Sequence, residues 1–221
     1  NEQIRQLSPS ANGDNPYFLA YGINNGFNRD RVYGNMKLDY NITPELSAFA
    51  RVSYDMFTED RETKIPWSYS RVRNGGYYLQ GIGRNETNTD FLLTYKKAIK
   101  SFDVSVSGGA NYMVQNYKED YMGGSILTVP GLYRISNIPL ASLQVSNGSN
   151  KKEIYSVYGM ASMGYKNMLY LDLTARNDWS STLPAENRSY FYPSASLSWL
   201  ANYTFSLPKS ISLLKFRAGW A

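Results

Sequence analysis

The side chains best suited to bind a ligand are aromatic rings interleaved with arginines in the stretch 58–85. Aromatic faces stack on sugar rings and on cations, so this stretch is a candidate substrate-contacting loop. The alternative is that these side chains pack within the loop and carry charge near an anionic lipid surface. The candidate residues are Trp67, Tyr69, Arg71, Arg73, Tyr77 and Tyr78.

Two other groupings have the residue types of a catalytic site. Arg176 and Asp178 are two positions apart, and alternate positions of a strand share a face, so an internal ion pair is the simpler interpretation. Glu59 and Glu62 could form a pair of carboxylates for acid–base chemistry. Acids in a loop are usually solvated, however, and we expect both to be so.

The composition excludes most catalytic chemistry. The 221 residues include no cysteine and no histidine, which excludes disulfides, thiolate or imidazole metal ligands and histidine-dependent nucleophiles. We therefore expect neither an enzyme nor a bound cofactor or metal. The 20 tyrosines argue against disorder, and the net charge of +5 is a modest excess that solvated faces can explain.

Alternation with a period of two residues predicts an all-β chain. In each strand one face carries apolar residues without a charge, and the opposite face carries polar and charged residues. One face therefore meets an apolar medium and the other meets water. The eight predicted strands lie near 32–41, 46–56, 88–97, 102–115, 155–165, 169–178, 190–199 and 214–220.

Two architectures have such faces: a soluble antiparallel sandwich and a transmembrane antiparallel β-barrel whose apolar face meets lipid. Most of the strands are longer than the usual globular strand of about 5–6 residues, and this favours the barrel. The connections favour it too, because those at one end are short (42–45, 98–101, 166–168 and the somewhat longer 201–211). Those at the other end are long (58–85, 117–151 and 178–188), as in outer-membrane barrels.

Aromatic residues on the apolar face fall into two rims, which also favours the barrel. Phe102 and Tyr112 are ten residues apart, as are Tyr155 and Tyr165. Ten tilted residues span roughly 25 Å, the height of the apolar band between the aromatic girdles of a barrel. The predicted membrane-girdle residues are Tyr40, Tyr95, Phe102, Tyr165 and Trp199 beside the short turns, and Tyr54, Tyr112, Tyr155 and Phe191 at the other end.

The strand directions predict that this chain is an internal part of a larger barrel. The first strand runs toward the short turn at Pro44, and the eighth runs back, so both ends of the chain lie on the long-loop side. Complete bacterial barrels normally begin and end on the opposite side. The alternative is a complete, closed eight-stranded barrel that acts as a structural protein or adhesin without transport.

The later strands carry an ordered string of motifs. The stretch 169–181 contains Arg176, Asp178, Ser180 and Ser181, and Asn187-Arg188 follows. After it come Phe191, Tyr192, the pair Pro193-Ser194 and Trp199. This string resembles the C-terminal barrel half of the SusC/RagA family of TonB-dependent outer-membrane transporters. In the pattern of that family Phe, Pro and Ser are adjacent, whereas here Tyr192 separates Phe191 from Pro193. Supporting stretches are Asn15-Pro16-Tyr17, Arg29-Asp30-Arg31, 131–137 and Leu214-Lys215-Phe216-Arg217.

The resemblance implies a barrel of 22 strands with an N-terminal plug that imports oligosaccharides, peptides or similar nutrients across the bacterial outer membrane. It implies TonB and a SusD-like surface lipoprotein as partners, and no nucleic acid. Residues 1–221 would form part of a single barrel domain, with the plug and TonB box outside this chain. The resemblance further implies that loops 58–85 and 117–151 meet substrate and lipoprotein, and that Arg51, Asp103, Asp172, Arg176 and Asp178 face the lumen or the plug.

Overall fold

A computed structural model describes residues 13–205, 208 and 210–221. A short helix, α1 (Pro16–Gly22), precedes eight strands: β1 (Asn24–Asn41), β2 (Leu46–Tyr69), β3 (Val72–Ile99), β4 (Phe102–Gly124), β5 (Gln144–Tyr165), β6 (Leu169–Ser180), β7 (Ser189–Leu200) and β8 (Lys215–Trp220). Single 3₁₀ turns occupy Ile135–Asn137, Leu140–Ser142, Ala185–Asn187 and Ala201–Tyr203. In the part of the chain that the structure describes, no helix is both long and apolar enough to cross a membrane.

The eight strands form one sheet in which each strand pairs with its sequence neighbours. The later pairs are antiparallel and in continuous register, so that Met160 lies opposite Thr174 and Thr174 lies opposite Ser194. The predicted number of strands is correct. Within the described residues β1 and β8 are the sheet edges and do not pair, so the closed eight-stranded barrel is not formed.

The stretch 58–85 is a long β-hairpin, so the prediction of a loop there is wrong. β2 runs to Tyr69 and β3 starts at Val72, which leaves a turn of two residues. Similarly, the predicted loop 117–151 contracts to 125–143, and 178–188 contracts to 181–188. The extended parts carry polar residues on both faces, which hides the two-residue period although backbone pairing continues. The short connections at 42–45 and 166–168 are confirmed.

The chain divides into two compact units, and each is described by itself. Of the described residues, unit 1 comprises those within 13–32, 55–85 and 116–151, and unit 2 comprises those within 33–54, 86–115 and 152–221.

In unit 2 the apolar face of the strands is largely uncovered. Met36 is 80% exposed, and other large apolar side chains of this face, such as Leu38, Phe91 and Leu173, are also exposed. Contiguous apolar surface of this extent marks a face that meets another apolar phase rather than water. This is the pattern expected of a lipid-facing wall.

Five of the nine predicted girdle residues contact an aromatic ring on a neighbouring strand. The rings of Phe102 and Tyr165 are 4.7 Å apart between centroids, and those of Tyr112 and Tyr155 are 4.5 Å apart and stacked. Trp199 stacks on Phe216 at 5.6 Å. Side chains at both predicted rims are therefore held in register between strands, while their position at the lipid interface stays a prediction.

Unit 1 has a small hydrophobic core under the connection 125–143. Leu127 is 1% exposed and packs with Tyr77 and Ile138. Asn137 ties the connection together, because its side-chain amide accepts from the Val129 N–H at 2.9 Å and donates to the Val129 carbonyl at 2.8 Å. This connection is thus an ordered, packed segment rather than an open loop.

Leu127→Ala should loosen the connection 125–143 by about 2–5 kcal/mol, the usual cost of truncating a buried leucine. Limited proteolysis of the whole protein in detergent measures the opening as faster cleavage within 125–143. Leu140→Ala is the matched control, since Leu140 is 85% exposed and its truncation leaves no cavity. Equal cleavage of the two variants would contradict the packing described here.

Leu173→Arg places a charge on the predicted lipid-facing surface, and it should lower the free energy of unfolding in lipid vesicles by about 2–4 kcal/mol. The shift of the urea-unfolding midpoint measures this loss. Ser196→Arg is the control, because Ser196 lies opposite Asp172 on the polar face, where a guanidinium meets a carboxylate. Comparable loss in both variants would show that the two faces do not differ in environment.

Candidate ligand-binding site

The long hairpin of β2 and β3 separates the six predicted ligand-contacting residues onto different surfaces. Tyr77 is buried in the core beneath the connection 125–143, and Trp67 packs against the same cluster. Arg71 and Arg73 are exposed at and beside the hairpin turn, and Tyr69 is half-buried. The six residues therefore do not form one patch.

Tyr77 is fixed by both packing and a hydrogen bond. Its hydroxyl donates to Glu62 Oε1 at 2.8 Å. Burial, together with the Glu62 carboxylate, raises the pKa of Tyr77 to about 12. Glu62 also pairs with Lys64 at 2.7 Å, and these hydrogen bonds lower the pKa of Glu62. Tyr77 and Trp67 therefore stabilise the fold, as in the alternative in which the aromatic side chains of this stretch pack within the protein rather than contact a ligand.

The opposite side of the hairpin lines a cavity of about 450 Å³ within unit 1. A volume in the range of about 300–1,000 Å³ is usual for small-molecule sites. Side chains from β1, β2, β3 and β4 line the cavity, among them Asn25, Arg29, Glu59, Arg61, Tyr78 and Tyr121. Of the six predicted residues, only Tyr78 lines it.

Glu59 lies at the base of this cavity between two arginines. Arg29 and Arg61 each donate from Nε to a different carboxylate oxygen of Glu59. The Glu59 side chain is 2% exposed, whereas those of Arg29 and Arg61 are 45% and 48% exposed. Hydrogen bonds from Arg61 and Arg29 hold the pKa of Glu59 below its usual value, so the carboxyl is ionised at neutral pH.

The sequence-based expectation that Glu59 and Glu62 are both solvated acids is wrong for Glu59. The two carboxylates also do not form a pair, because Glu59 bonds to the arginines while Glu62 bonds to Lys64 and Tyr77. The reason is that residues 58–62 continue a strand, which sends residues three apart to opposite faces.

A polar chain continues from Arg61 across the next two strands. Arg61 Nη1 donates to Gln80 Oε1 at 3.4 Å, and the Gln80 amide donates to Glu119. Tyr117 donates to the other oxygen of Glu119 at 2.9 Å. The hydrogen bonds from Gln80 and Tyr117 lower the pKa of Glu119. β2, β3 and β4 are thereby linked on the cavity side by side-chain contacts.

The Tyr78 ring lies flat against the sheet because the two residues beneath it, Gly76 and Gly123, have no side chains. A Cβ atom at Gly123 would stand 2.5 Å from Tyr78 Cδ1, and one at Gly76 would stand 2.9 Å from Tyr78 Cε2. The Tyr78 ring also stacks beside Tyr121, with the centroids 6.1 Å apart and the planes at 25°. Burial, with Tyr121 adjacent, raises the pKa of Tyr78, so its phenol is neutral at physiological pH.

In unit 2, four of the five predicted lumen-facing residues form hydrogen bonds with other side chains: Arg51, Asp172, Arg176 and Asp178. Arg51 donates twice to Asp90 Oδ2, at 3.0 and 2.7 Å, and Asn111 donates to the other oxygen of Asp90 at 2.6 Å. Asp172 accepts from the Ser162 hydroxyl at 2.6 Å. Asp103 and Asp172 line a second cavity, of about 390 Å³.

The predicted internal ion pair of Arg176 and Asp178 is present. Arg176 Nε donates to Asp178 Oδ1 at 2.7 Å, and the same arginine donates to Ser156 Oγ at 2.9 Å. Tyr192 donates to the other oxygen of Asp178. The carboxylate and the guanidinium are both engaged, so this cluster is a structural brace of β5, β6 and β7.

Sequence reasoning missed Arg29, Arg61, Asp90 and Tyr121. Extending the two-residue alternation of the second strand through 57–63 places Glu59 and Arg61 on the polar face with Arg51, and this signal could have found them. No sequence pattern indicates that Arg29 reaches Glu59, because that contact depends on strand register. Among the residues that the structure describes, no group of acidic side chains is arranged to hold a metal ion.

Comparisons with known proteins agree with this geometry. The profile of the family described as "TonB dependent receptor-like, beta-barrel" matches residues 4–221. TonB-dependent receptor P3 from Formosa agariphila is 32% identical over 142 residues, which are 62% of this chain and 14% of that receptor. The chain therefore spans a small part of the length of this curated relative.

Solved structures show the same fold. The RagAB peptide importer in its "closed-closed" state matches with a TM-score of 0.79 at 19% identity, over 93% of this chain and 23% of that chain. A structure of the RagAB peptide transporter matches with a TM-score of 0.78 at 17% identity, over 93% of this chain and 24% of that chain.

The sheet is thus part of a transmembrane antiparallel β-barrel, and the predicted fold class is confirmed. The relationship to TonB-dependent receptors that the motif string indicated is likewise confirmed, and the RagAB structures share the fold of this chain. The chain belongs to the TonB-dependent receptor-like β-barrel family.

Proposed function

We propose that this chain is part of a receptor that imports nutrients across the bacterial outer membrane with energy from TonB. The observation that supports this most directly is the match of the receptor barrel family to residues 4–221. In this proposal unit 2 supplies barrel wall, and unit 1 supplies the extracellular extensions. The chain contributes binding and passage rather than catalysis.

The polar face of unit 2 suits the wall of a hydrated passage. Its charges are mostly compensated, as in the pairs Arg51–Asp90 and Arg176–Asp178. Compensated charges keep the surface wet without a strong field that would trap a passing ion or substrate. We propose that Arg51, Asp103, Asp172, Arg176 and Asp178 face the lumen or a plug in the whole receptor.

The partners and cargo follow from the family and belong to the same proposal. Residues 1–221 form part of a single barrel domain, and other parts of the receptor carry the plug and the TonB box. A SusD-like surface lipoprotein covers the extracellular side, and the cargo is an oligosaccharide, a peptide or a similar nutrient. The peptide named in the RagAB structures is the cargo of that importer, and it makes peptides one of the classes to test.

Deleting the gene for the whole receptor should abolish growth on one class of nutrient, tested on a panel of oligosaccharides and peptides as sole carbon source. The physical reason is that such cargo exceeds what passive diffusion through small pores supplies, so an active route is required. Complementation with the intact gene should restore growth, and an uncoupler of the proton gradient should stop uptake of labelled cargo.

The sealed structural or adhesive barrel predicts different results. In that case deletion leaves growth unchanged on every nutrient of the panel, and it reduces only attachment to host cells or to phage. If the receptor is present at normal abundance in the wild-type outer membrane and its deletion changes growth on no nutrient of the panel, the import proposal is overturned.

A further inference from the structure

We propose that the cavity of unit 1 is a subsite for an acidic sugar residue, with the ring stacked on Tyr78 and its carboxylate or sulfate bound by Arg29 and Arg61. This inference rests on the import function proposed above and specifies its cargo as an anionic oligosaccharide.

The aromatic part of the subsite is preorganised. Tyr78 lies over Gly76 and Gly123, where a side chain of any other residue would collide with its ring. Tyr121 stacks beside Tyr78 and limits its movement along the sheet. A ring held flat on a sheet offers a rigid face, and a ligand that stacks on it orders no flexible side chain on binding. Flat, rigid faces of this kind complement the C–H face of a sugar ring.

The charged part of the subsite is also fixed before a ligand arrives. Glu59 orients both guanidiniums, and Arg29 lies over the Phe57 ring at 4.8 Å from its centroid. Among the charged side chains that line the cavity, Arg29 and Arg61 are nearly half-exposed whereas Glu59 is 2% exposed, so the lining presents mainly the two guanidiniums. The Glu119 carboxylate bonds to Gln80 and is not a lining residue. Each guanidinium has more N–H groups than it uses on Glu59 and Gln80, and a carboxylate or sulfate can accept two of them at once.

The cavity fits a sugar better than a peptide. β1 to β4 pair with one another in the sheet, so their backbone groups are already used and are not open to an extended peptide strand. The other polar side chains that line the cavity include Asn25, Thr63 and Gln80. Gln80 bonds to Arg61 and Glu119, and the Thr63 hydroxyl donates to Asn25 Oδ1, but amide and hydroxyl groups have further N–H groups or lone pairs that can pair with ring hydroxyls. An aromatic platform, amides and paired arginines are together complementary to a ligand that has a polar ring and an anionic group.

The test measures binding of oligosaccharides to the purified whole receptor in detergent by calorimetry. The probes are oligogalacturonates, sulfated galactan oligosaccharides and methyl glucuronide, each compared with its carboxyl-reduced or desulfated counterpart. We expect at least one acidic probe to bind roughly tenfold to a hundredfold more tightly than its neutral counterpart. Acidic tripeptides serve as the competing class.

Variants at the cavity connect this preference to the named residues. Tyr78→Ala should weaken binding of the acidic probe about tenfold, whereas Tyr78→Phe keeps the ring face and should bind nearly as the wild type does. Arg61→Gln should remove most of the preference for the acidic probe over its neutral counterpart. Lys118→Ala is the matched control, since it removes one positive charge from the opposite face of β4 and should leave the preference unchanged.

Retention of the heat-resistant folded band in gel electrophoresis shows that each variant is folded. The proposal is overturned by equal affinity for every acidic probe and its neutral counterpart, by a preference that persists in Arg61→Gln, or by tighter, Tyr78-dependent binding of acidic peptides. Uncoupler-sensitive uptake of a neutral cargo would overturn this subsite and leave the import function standing. If deletion of the gene changes growth on no nutrient while the purified receptor still binds the acidic probe, the import function is overturned and the subsite stands.

Discussion

The two-residue period of the β-strand is the constraint on which this structure depends. Successive side chains point to opposite faces, so a single strand can meet an apolar medium and a polar one at the same time. In unit 2 this produces an uncovered apolar surface with Met36 and Leu173, and a polar surface with Arg51 and Asp90. In unit 1 it places Tyr77 in a protein core and Tyr78 beside a cavity, although they are neighbours in sequence.

Charges on the polar faces are stabilised by ion pairs, some between strands, as in Arg51–Asp90, and some within one strand, as in Arg176–Asp178. Glu59 is the clearest case, since a carboxylate removed from water at 2% exposure is tolerable only with two guanidiniums as partners. The Arg176–Asp178 ion pair is stabilised in the same way, by further hydrogen bonds from Arg176 to Ser156 and from Tyr192 to Asp178. These contacts brace the sheet and at the same time orient groups that a ligand can use.

The absence of side chains is as important as their presence at the cavity. Gly76 and Gly123 allow the Tyr78 ring to lie on the sheet, and Gly109 has a similar role in unit 2, where a Cβ would stand 2.7 Å from Tyr158 Cζ. A larger residue at these positions would tilt the ring away from the backbone. The orientations of Tyr78 and Tyr158 therefore depend on glycines that lie beneath their rings.

The sequence by itself determined the strands wherever one face is apolar, the short turns at 42–45 and 166–168, and the family. It could not determine the hairpin at 58–85, because polar residues on both faces erase the period from which a strand is recognised. It also could not bring Arg29 to Glu59 or place Tyr78 against Gly123. Those contacts join residues about thirty to forty-five positions apart, and only the register between paired strands decides which of them meet.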